Sequence, residues 1–210
     1  MVLGVVPGER TAENVAAVVE DVKRRTGGRL MDLITTDGYP AYESAILDAY
    51  GETVTPPRTG KRGRPRAPYK VAPKGLTYAV VEKTRERGRV VSIATRVVFG
   101  TVAAVVAALG LSRASTAVNT SFVERQNGTD RHRNARKARK TYRFSKDWRF
   151  HEAATYLSLY AYNFCWPVRT LAIKDDQGHR QPRTPAMTAG LADHVWTMTE
   201  WFSMPAVRHC

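Results

Sequence analysis

Two carboxylates carry the sharpest chemical signal in this 210-residue chain, Asp37 and Glu124. Asp37 closes the apolar run LMDLITT and precedes Gly38. An acid at the carboxyl end of a short buried strand stands where α/β sheets bind their ligands. Hard cations prefer carboxylate oxygens, and Mg²⁺ is usually held by one or two of them with water and substrate phosphate. Asp-Gly is equally an ordinary turn pair, so the residues alone leave both roles open. Glu124 follows AVNTSFV and opens the most basic segment of the chain. A carboxylate there can face a metal on a bound phosphate while the cations behind it neutralise a nucleic-acid backbone. It also completes Ser121-x-x-Glu124, a capping box in which the glutamate only satisfies an orphan backbone N–H.

The cations behind Glu124 are Arg125, Arg131, Arg133, Arg136, Lys137, Arg139 and Lys140, with Asp130 the one acid among them. The spacing predicts a helix from about Ser121 through FVERQNGTDRHRNARKARKTYRF. Like charges three and four residues apart destabilise it by a few tenths of a kcal/mol each, and Gly128 costs about 1 kcal/mol more. Phosphate contact relieves that repulsion; the bland alternative is a solvated basic face. A second basic stretch, residues 54–75, holds seven cations, several prolines and glycines, and no acid. It reads as an extended loop. Its RGRP at 62–65, containing Arg62 and Arg64, resembles the core of a minor-groove hook over only four residues, so phosphate contact is the preferred role. Lysine and arginine together number 33 against 19 acids, a net charge of +14. That balance favours a polyanionic partner, because each cation on a phosphate releases condensed counterions.

The elements that position these residues follow from periodicity. VLGVV at 2–6 reads as a strand, and its abrupt apolar start suggests a cut domain. Val15, Val18, Val19 and Val22 predict a helix over 12–25, ended by Gly27 and Gly28. Leu30, Leu33 and Ile34 predict the strand that delivers Asp37, and a short helix over 42–50 follows. LTYAVVEKTRERGRVVSIATRVVF predicts two strands around an ERG turn, then an apolar helix ending at Gly110. A further helix is expected over 146–163, and a short one in the tail. The aromatic residues Trp148, Tyr156, Tyr160, Tyr162, Phe164 and Trp166 read as packing residues before base-stacking platforms. The whole is an α/β domain over 1–165, with the basic loop at 54–75 and helices gathered at the end, followed by a tail at 166–210 with a short helix. Cys165 and Cys210 form no metal-binding spacing, and the apolar stretch 97–111 is too short to span a bilayer. A cytoplasmic, nucleoid-associated protein with no membrane partner is the expectation.

NTSFVERQNGTDRHRNARKARKTYRFSKDWRFHEAATYLSLYAYNF resembles the C-terminal catalytic segment of insertion-sequence transposases of the DDE superfamily. TTDGYPAY is similar to their second-aspartate motif, VLGVVPGERTAEN to the strand and turn before the first helix of the catalytic domain, and RTPAMTAGLADHVWT to a closing segment. The resemblance spans nearly the whole chain, with its motifs in order. It implies an RNase H-like fold whose acidic triad holds two Mg²⁺ or Mn²⁺ ions and activates water or a DNA 3′-hydroxyl. Carried over, Asp37 is the second carboxylate and Glu124 the third, with Asn119, Arg125 and Asn127 in the polar places around the glutamate. The implied DNA contacts come from Arg62, Arg64, Arg125, Arg131, Arg133, Arg136, Lys137, Arg139 and Lys140, and the implied partners are transposon ends and a second copy or a full-length transposase.

The chain departs from the family where the first aspartate belongs. That residue lies two strands before the segment matched by VLGVV, and Glu9, beyond the Pro7–Gly8 turn, does not replace it. WPV at 166–168 departs too, since relatives often carry a basic residue before the proline. The resemblance therefore implies an N-terminally truncated copy with an incomplete sheet, unstable alone and catalytically inactive. Two other readings stand beside it. One is a non-catalytic DNA-binding protein that regulates a full-length transposase. The other is a basic RNA- or ribosome-associated protein unrelated to transposition.

Overall fold

The valines of Ala12–Arg25 recur at helical spacing, and this stretch forms helix α1. Thr11 caps it, its Oγ1 accepting from the Asn14 N–H at 3.2 Å. Gly27 and Gly28 follow with φ of +62° and +76°. The Gly28 N–H returns to the Lys23 carbonyl at 2.8 Å, closing the helix with the left-handed turn that glycine adopts without strain. The computed structural model describes residues 1–57, 66–112, 115–138, 140 and 142–204. They form a mixed α/β chain that divides into two units, Gly8–Arg125 and a second made of Met1–Pro7 with Gln126–Cys210.

In the first unit α1 is followed by β1 (Ile34–Asp37), α2 (Ala41–Tyr50), a small antiparallel pair β2 (Glu52–Val54) and β3 (Tyr69–Val71), then β4 (Tyr78–Glu86), β5 (Arg89–Phe99), α3 (Val102–Leu111) and the start of α4 (Ser121–Arg133). The main sheet has three strands in the order β1-β4-β5; β1 and β4 run parallel, β4 and β5 antiparallel. Four consecutive residues of β4, Tyr78 to Val81, are buried. Such an unbroken apolar run marks a strand covered on both faces. Arg87 and Gly88, both with positive φ, turn β4 into β5 as a two-residue hairpin.

Side chains alternate along a strand, and in-register neighbours share a face. Ile34, Thr36, Tyr78 and Val80 therefore face one way, into a core with Val15 and Val19 of α1 and Ala45, Ile46 and Ala49 of α2. The Tyr78 hydroxyl is satisfied there by Thr36 Oγ1 at 2.7 Å. Thr35, Asp37, Ala79, Val81 and Lys83 face the other way. Ala79 and Val81 are buried on that side. A cleft of about 360 Å³ joins Thr35 to Leu109 of α3, Val118 and Phe122 of α4. Helices thus cover both faces, and α4 approaches the one that bears Thr35.

The second unit is built on α5 (Trp148–Cys165), which packs against α6 (Pro185–Thr188) and α7 (Met198–Ser203); a two-residue pair, β6 (Ile173–Lys174) and β7 (Arg180–Gln181), lies between them in sequence. Phe164 meets Trp196 at 4.7 Å and Trp201 at 5.4 Å between ring centroids, so these aromatic residues serve packing. Trp148 and Trp166 are half exposed. Among the described residues no helix is long and apolar enough to cross a membrane.

α7 is tied down by a charge relay that makes its docking pH-dependent. His194 stands between Glu200 Oε1 at 3.0 Å and Asp193 Oδ1 at 2.6 Å. These bonds, that to Glu200 first, raise its pKa above the ordinary 6.5. Glu200 falls from 4.5 to about 2, held by the Thr197 N–H, by His194 and by the Thr197 hydroxyl. A raised histidine stabilises fully below its unfolded value and loses that as pH rises through the folded one. A lowered glutamate stabilises above its unfolded value and loses that as pH falls towards its folded one. The attachment of α7 is therefore firmest between pH 4.5 and 6.5. A thermal midpoint followed by tryptophan fluorescence should fall on both sides of that window. In His194→Ala the alkaline fall should vanish.

Three expected elements differ. Within the basic stretch expected as a loop, Tyr69–Val71 pair with β2, because backbone ladder bonds to Glu52–Val54 do not depend on the side chains' charge. Residues 2–6 form no strand. The Val2 N–H donates to Asn163 Oδ1, and the Val2 carbonyl accepts from Asn163 Nδ2, both at 2.8 Å. One buried side-chain amide satisfies both groups as a neighbouring strand would, and an apolar run by itself does not choose between these partners. The basic helix is also shorter than its periodicity predicts. It stops at Arg133, and Ala135–Lys137 form a 3-10 turn. Asn134 Oδ1 accepts from the Arg136 N–H at 3.1 Å, an asparagine bonding its own backbone in competition with the helix. Arg133, Arg136, Lys137 and Lys140 at three- and four-residue spacing would repel one another in a continuous helix, and Lys140 takes a φ of +53°.

Candidate nucleic-acid and metal site

Asp37 is the last residue of β1, its carboxylate half exposed. Arg10, just ahead of α1, grips both its oxygens at 2.7 Å. The guanidinium also lies 4.2 Å from the centre of the Tyr39 ring, and the Tyr39 hydroxyl donates to the Arg10 carbonyl at 3.0 Å. The DGYP turn thus aims an aromatic face at the cation that neutralises the aspartate. Burial and the Asp37 charge together push the Tyr42 hydroxyl pKa up.

Glu124 lies in the first turn of α4. Its Oε1 accepts from Lys83 Nζ at 2.5 Å and from the Thr120 hydroxyl at 3.0 Å. These two bonds, the lysine first, hold its pKa below the usual carboxylate value. The capping-box alternative is not what forms. The Ser121 N–H goes to Asn119 Oδ1 at 3.1 Å, leaving the Glu124 carboxylate to the sheet. Asp37 pairs in register with Val81, and Lys83 is two residues further along β4. Strand alternation gives Asp37 and Lys83 the same parity, with β4 advancing about 7 Å between Val81 and Lys83. The Asp37 carboxylate is engaged by Arg10 and acts on Tyr42 and Tyr78, while Glu124 is engaged by Lys83 and Thr120.

A carboxylate is the ligand type a hard cation prefers, with water and phosphate completing its shell. A two-metal centre requires more. Among the described residues no group of three histidine, cysteine, aspartate or glutamate side chains could hold a metal ion. Each carboxylate also already has a cationic partner, and any metal must displace Arg10 or Lys83 to bind.

The expected DNA-contacting cations fall into separate sets. Arg62, Arg64 and Arg139 lie outside the described residues. Arg125 and Arg131 are exposed on α4, Arg136 is exposed on the 3-10 turn, and Lys140 is exposed beyond it. Lys137 is committed elsewhere. Its ammonium meets Asp130 Oδ2 at 2.7 Å with both side chains largely covered. Arg133 lies over the Trp166 ring at 3.4 Å and beside Tyr162 at 5.3 Å.

Sequence reasoning missed Arg10 and Lys83. Lys83 was discoverable, because period-two alternation from the buried YAVV run sets it on the face of Val81. Arg10 carried no such signal, since its contact spans a helix and a turn. Arg85, near enough to Glu124 to help hold it ionised, extends the positive charge toward the β4–β5 hairpin tip. No protein-family model matches the chain, and neither a characterised protein nor a solved structure matches it.

Proposed function

We propose that this chain is a DNA-binding domain of the DDE transposase type, an RNase H-like sheet with two of the three acidic positions filled. What carries the reading is one arrangement. A parallel strand ends in Asp37, and the first turn of a basic helix is tied by Glu124 to Lys83 of the neighbouring strand. The exposed cations at Arg125, Arg131, Arg136 and Lys140 suit phosphate contact without base readout. Mg²⁺ or Mn²⁺ would bind Asp37 and Glu124 and would bring phosphate-charge neutralisation to the site. The chain's own contribution is to hold those two carboxylates and surround them with cations.

The ion pairs favour DNA binding without cleavage, as in a non-catalytic partner or regulator of a complete transposase. Arg10 and Lys83 neutralise the acids that would otherwise repel a DNA backbone. The test offers the purified chain duplex DNA in competition with duplex RNA, then supercoiled plasmid with Mg²⁺ or Mn²⁺. DNA is expected to win the competition and the plasmid to stay unnicked. Preference for RNA sinks the transposase-type reading in favour of an RNA-associated protein. Metal-dependent nicking abolished by Asp37→Asn overturns the non-catalytic part alone.

A further inference from the structure

Among the described residues of the second unit, Asn134 is a polar side chain whose placement asks for a ligand. It is 7% exposed, and its Nδ2 has no hydrogen-bond partner. Because Oδ1 accepts from the Arg136 backbone N–H, the amide cannot reverse, and the nitrogen is the end left over. A buried donor without an acceptor is unfavourable by about 1–3 kcal/mol. Natural proteins rarely keep such a group without a use for it.

The residue lines a groove of about 420 Å³ that also takes Arg133, Arg136, Tyr162, Cys165 and Trp166. Arg133 is stacked on one face of the Trp166 indole at 3.4 Å, while the residue as a whole is 51% exposed. Among the described residues no carboxylate lines the groove, though Glu200 lies near enough to Cys165 to act on its thiol. Asp130, which touches Ser158 of the groove, is already paired with Lys137. Burial pushes the Cys165 thiol pKa up, so that side chain stays neutral. The surface therefore offers a flat aromatic and guanidinium platform, one buried N–H donor, and the positive charge of Arg133 and Arg136. The Asn134 nitrogen is covered from solvent, so an acceptor reaches it by displacing a neighbour. Arg136, exposed and held by a single 3.4 Å contact to Ser145 Oγ, is the side chain that can move.

We propose that this groove is a single-nucleotide subsite that holds one unpaired base against the Arg133–Trp166 stack, with a base acceptor on Asn134 Nδ2 and the adjoining phosphate on Arg136. Every base offers a π-face and at least one ring nitrogen or carbonyl acceptor. One donor distinguishes none of them, so the subsite reads strandedness and not sequence. It would favour an unpaired end or a frayed base over an intact duplex. The choice of a nucleotide as occupant rests on the DNA-binding reading above; the platform and the orphan donor do not.

The experiment follows tryptophan fluorescence of the full chain titrated with deoxyadenosine monophosphate and with a short oligothymidylate, and in parallel measures affinity for a blunt duplex. Quenching by both single-stranded probes is expected. Trp166→Phe should abolish the quenching component. Asn134→Asp, which keeps the Oδ1 acceptor and removes the donor, should weaken oligothymidylate binding about tenfold while duplex affinity moves less than about twofold. Quenching that survives in Trp166→Phe overturns the subsite, as does an equal loss of single-strand and duplex affinity in Asn134→Asp. Because Trp166 is half exposed, its substitution leaves folding intact even if the asparagine variant does not fold. If duplex binding fails while mononucleotide quenching persists, the DNA-binding reading falls and the subsite stands. If quenching is absent from the unaltered chain, the subsite falls whatever the duplex does.

Discussion

Replacing Arg10 and Lys83 together by methionine is expected to leave one Mn²⁺ bound per chain, about twenty-fivefold more tightly than the unaltered protein binds it. Each of these cations sits on a carboxylate that a metal would need. Arg10 holds both oxygens of Asp37, and Lys83 holds Oε1 of Glu124. The pairs are substantially exposed, with Asp37 and Glu124 side chains 50% and 61% accessible. Exposed ion pairs are individually weak, each a factor of up to about five in affinity. If Asp37 and Glu124 ligate the same ion, both gains enter one binding constant and multiply. If they lie too far apart, the double variant binds two ions, each no tighter than in its single variant. Calorimetric titration reads stoichiometry and affinity together. Asp37→Asn in the double-methionine background should remove the gain contributed by Arg10→Met. Two bound ions, or no gain at all, would count against the two carboxylates as one metal site.

The second large effect concerns phosphate. Arg131, Arg136 and Lys140 are exposed. Each phosphate contact contributes about 0.9 to the slope of log affinity against log salt. Changing all three to glutamine should lower that slope by nearly ~3 and, near ~0.1 M salt, reduce duplex affinity about a hundredfold, uniformly across DNA sequences. Lys137→Gln is the contrasting case. Its ammonium is spent on Asp130, so the slope should barely move while stability falls. An unchanged slope in the triple variant would remove these three residues from any role at phosphate. Fluorescence anisotropy at several salt concentrations makes the measurement.

How much of this was written in the linear chain varies with the range of the interactions. Helix α1 was legible from four valines and two glycines, because its periodicity and its stop are local. The β4–β5 hairpin was legible from YAVV and the ERG turn for the same reason. Asp37 at a strand end and Glu124 at a helix start followed from short apolar runs that end in an acid. The fate of VLGVV was not legible. An apolar run does not specify its hydrogen-bond partner, and here the partner is the amide of Asn163, far along the chain. The end of α4 was missed because Asn134 bonds its own backbone, a choice that helical periodicity does not register.

By itself the sequence determined the net charge of +14, since charge depends on composition and not on shape. It also determined which acids could act, since strand and helix signals around Asp37 and Glu124 are short-range. Tertiary structure alone decided that Arg10 and Lys83 sit on them, and that Asn134 is buried with its donor unused. Each of these depends on strand register or on packing between distant segments. Register and packing are collective properties set by many distant contacts at once, so no single segment encodes them.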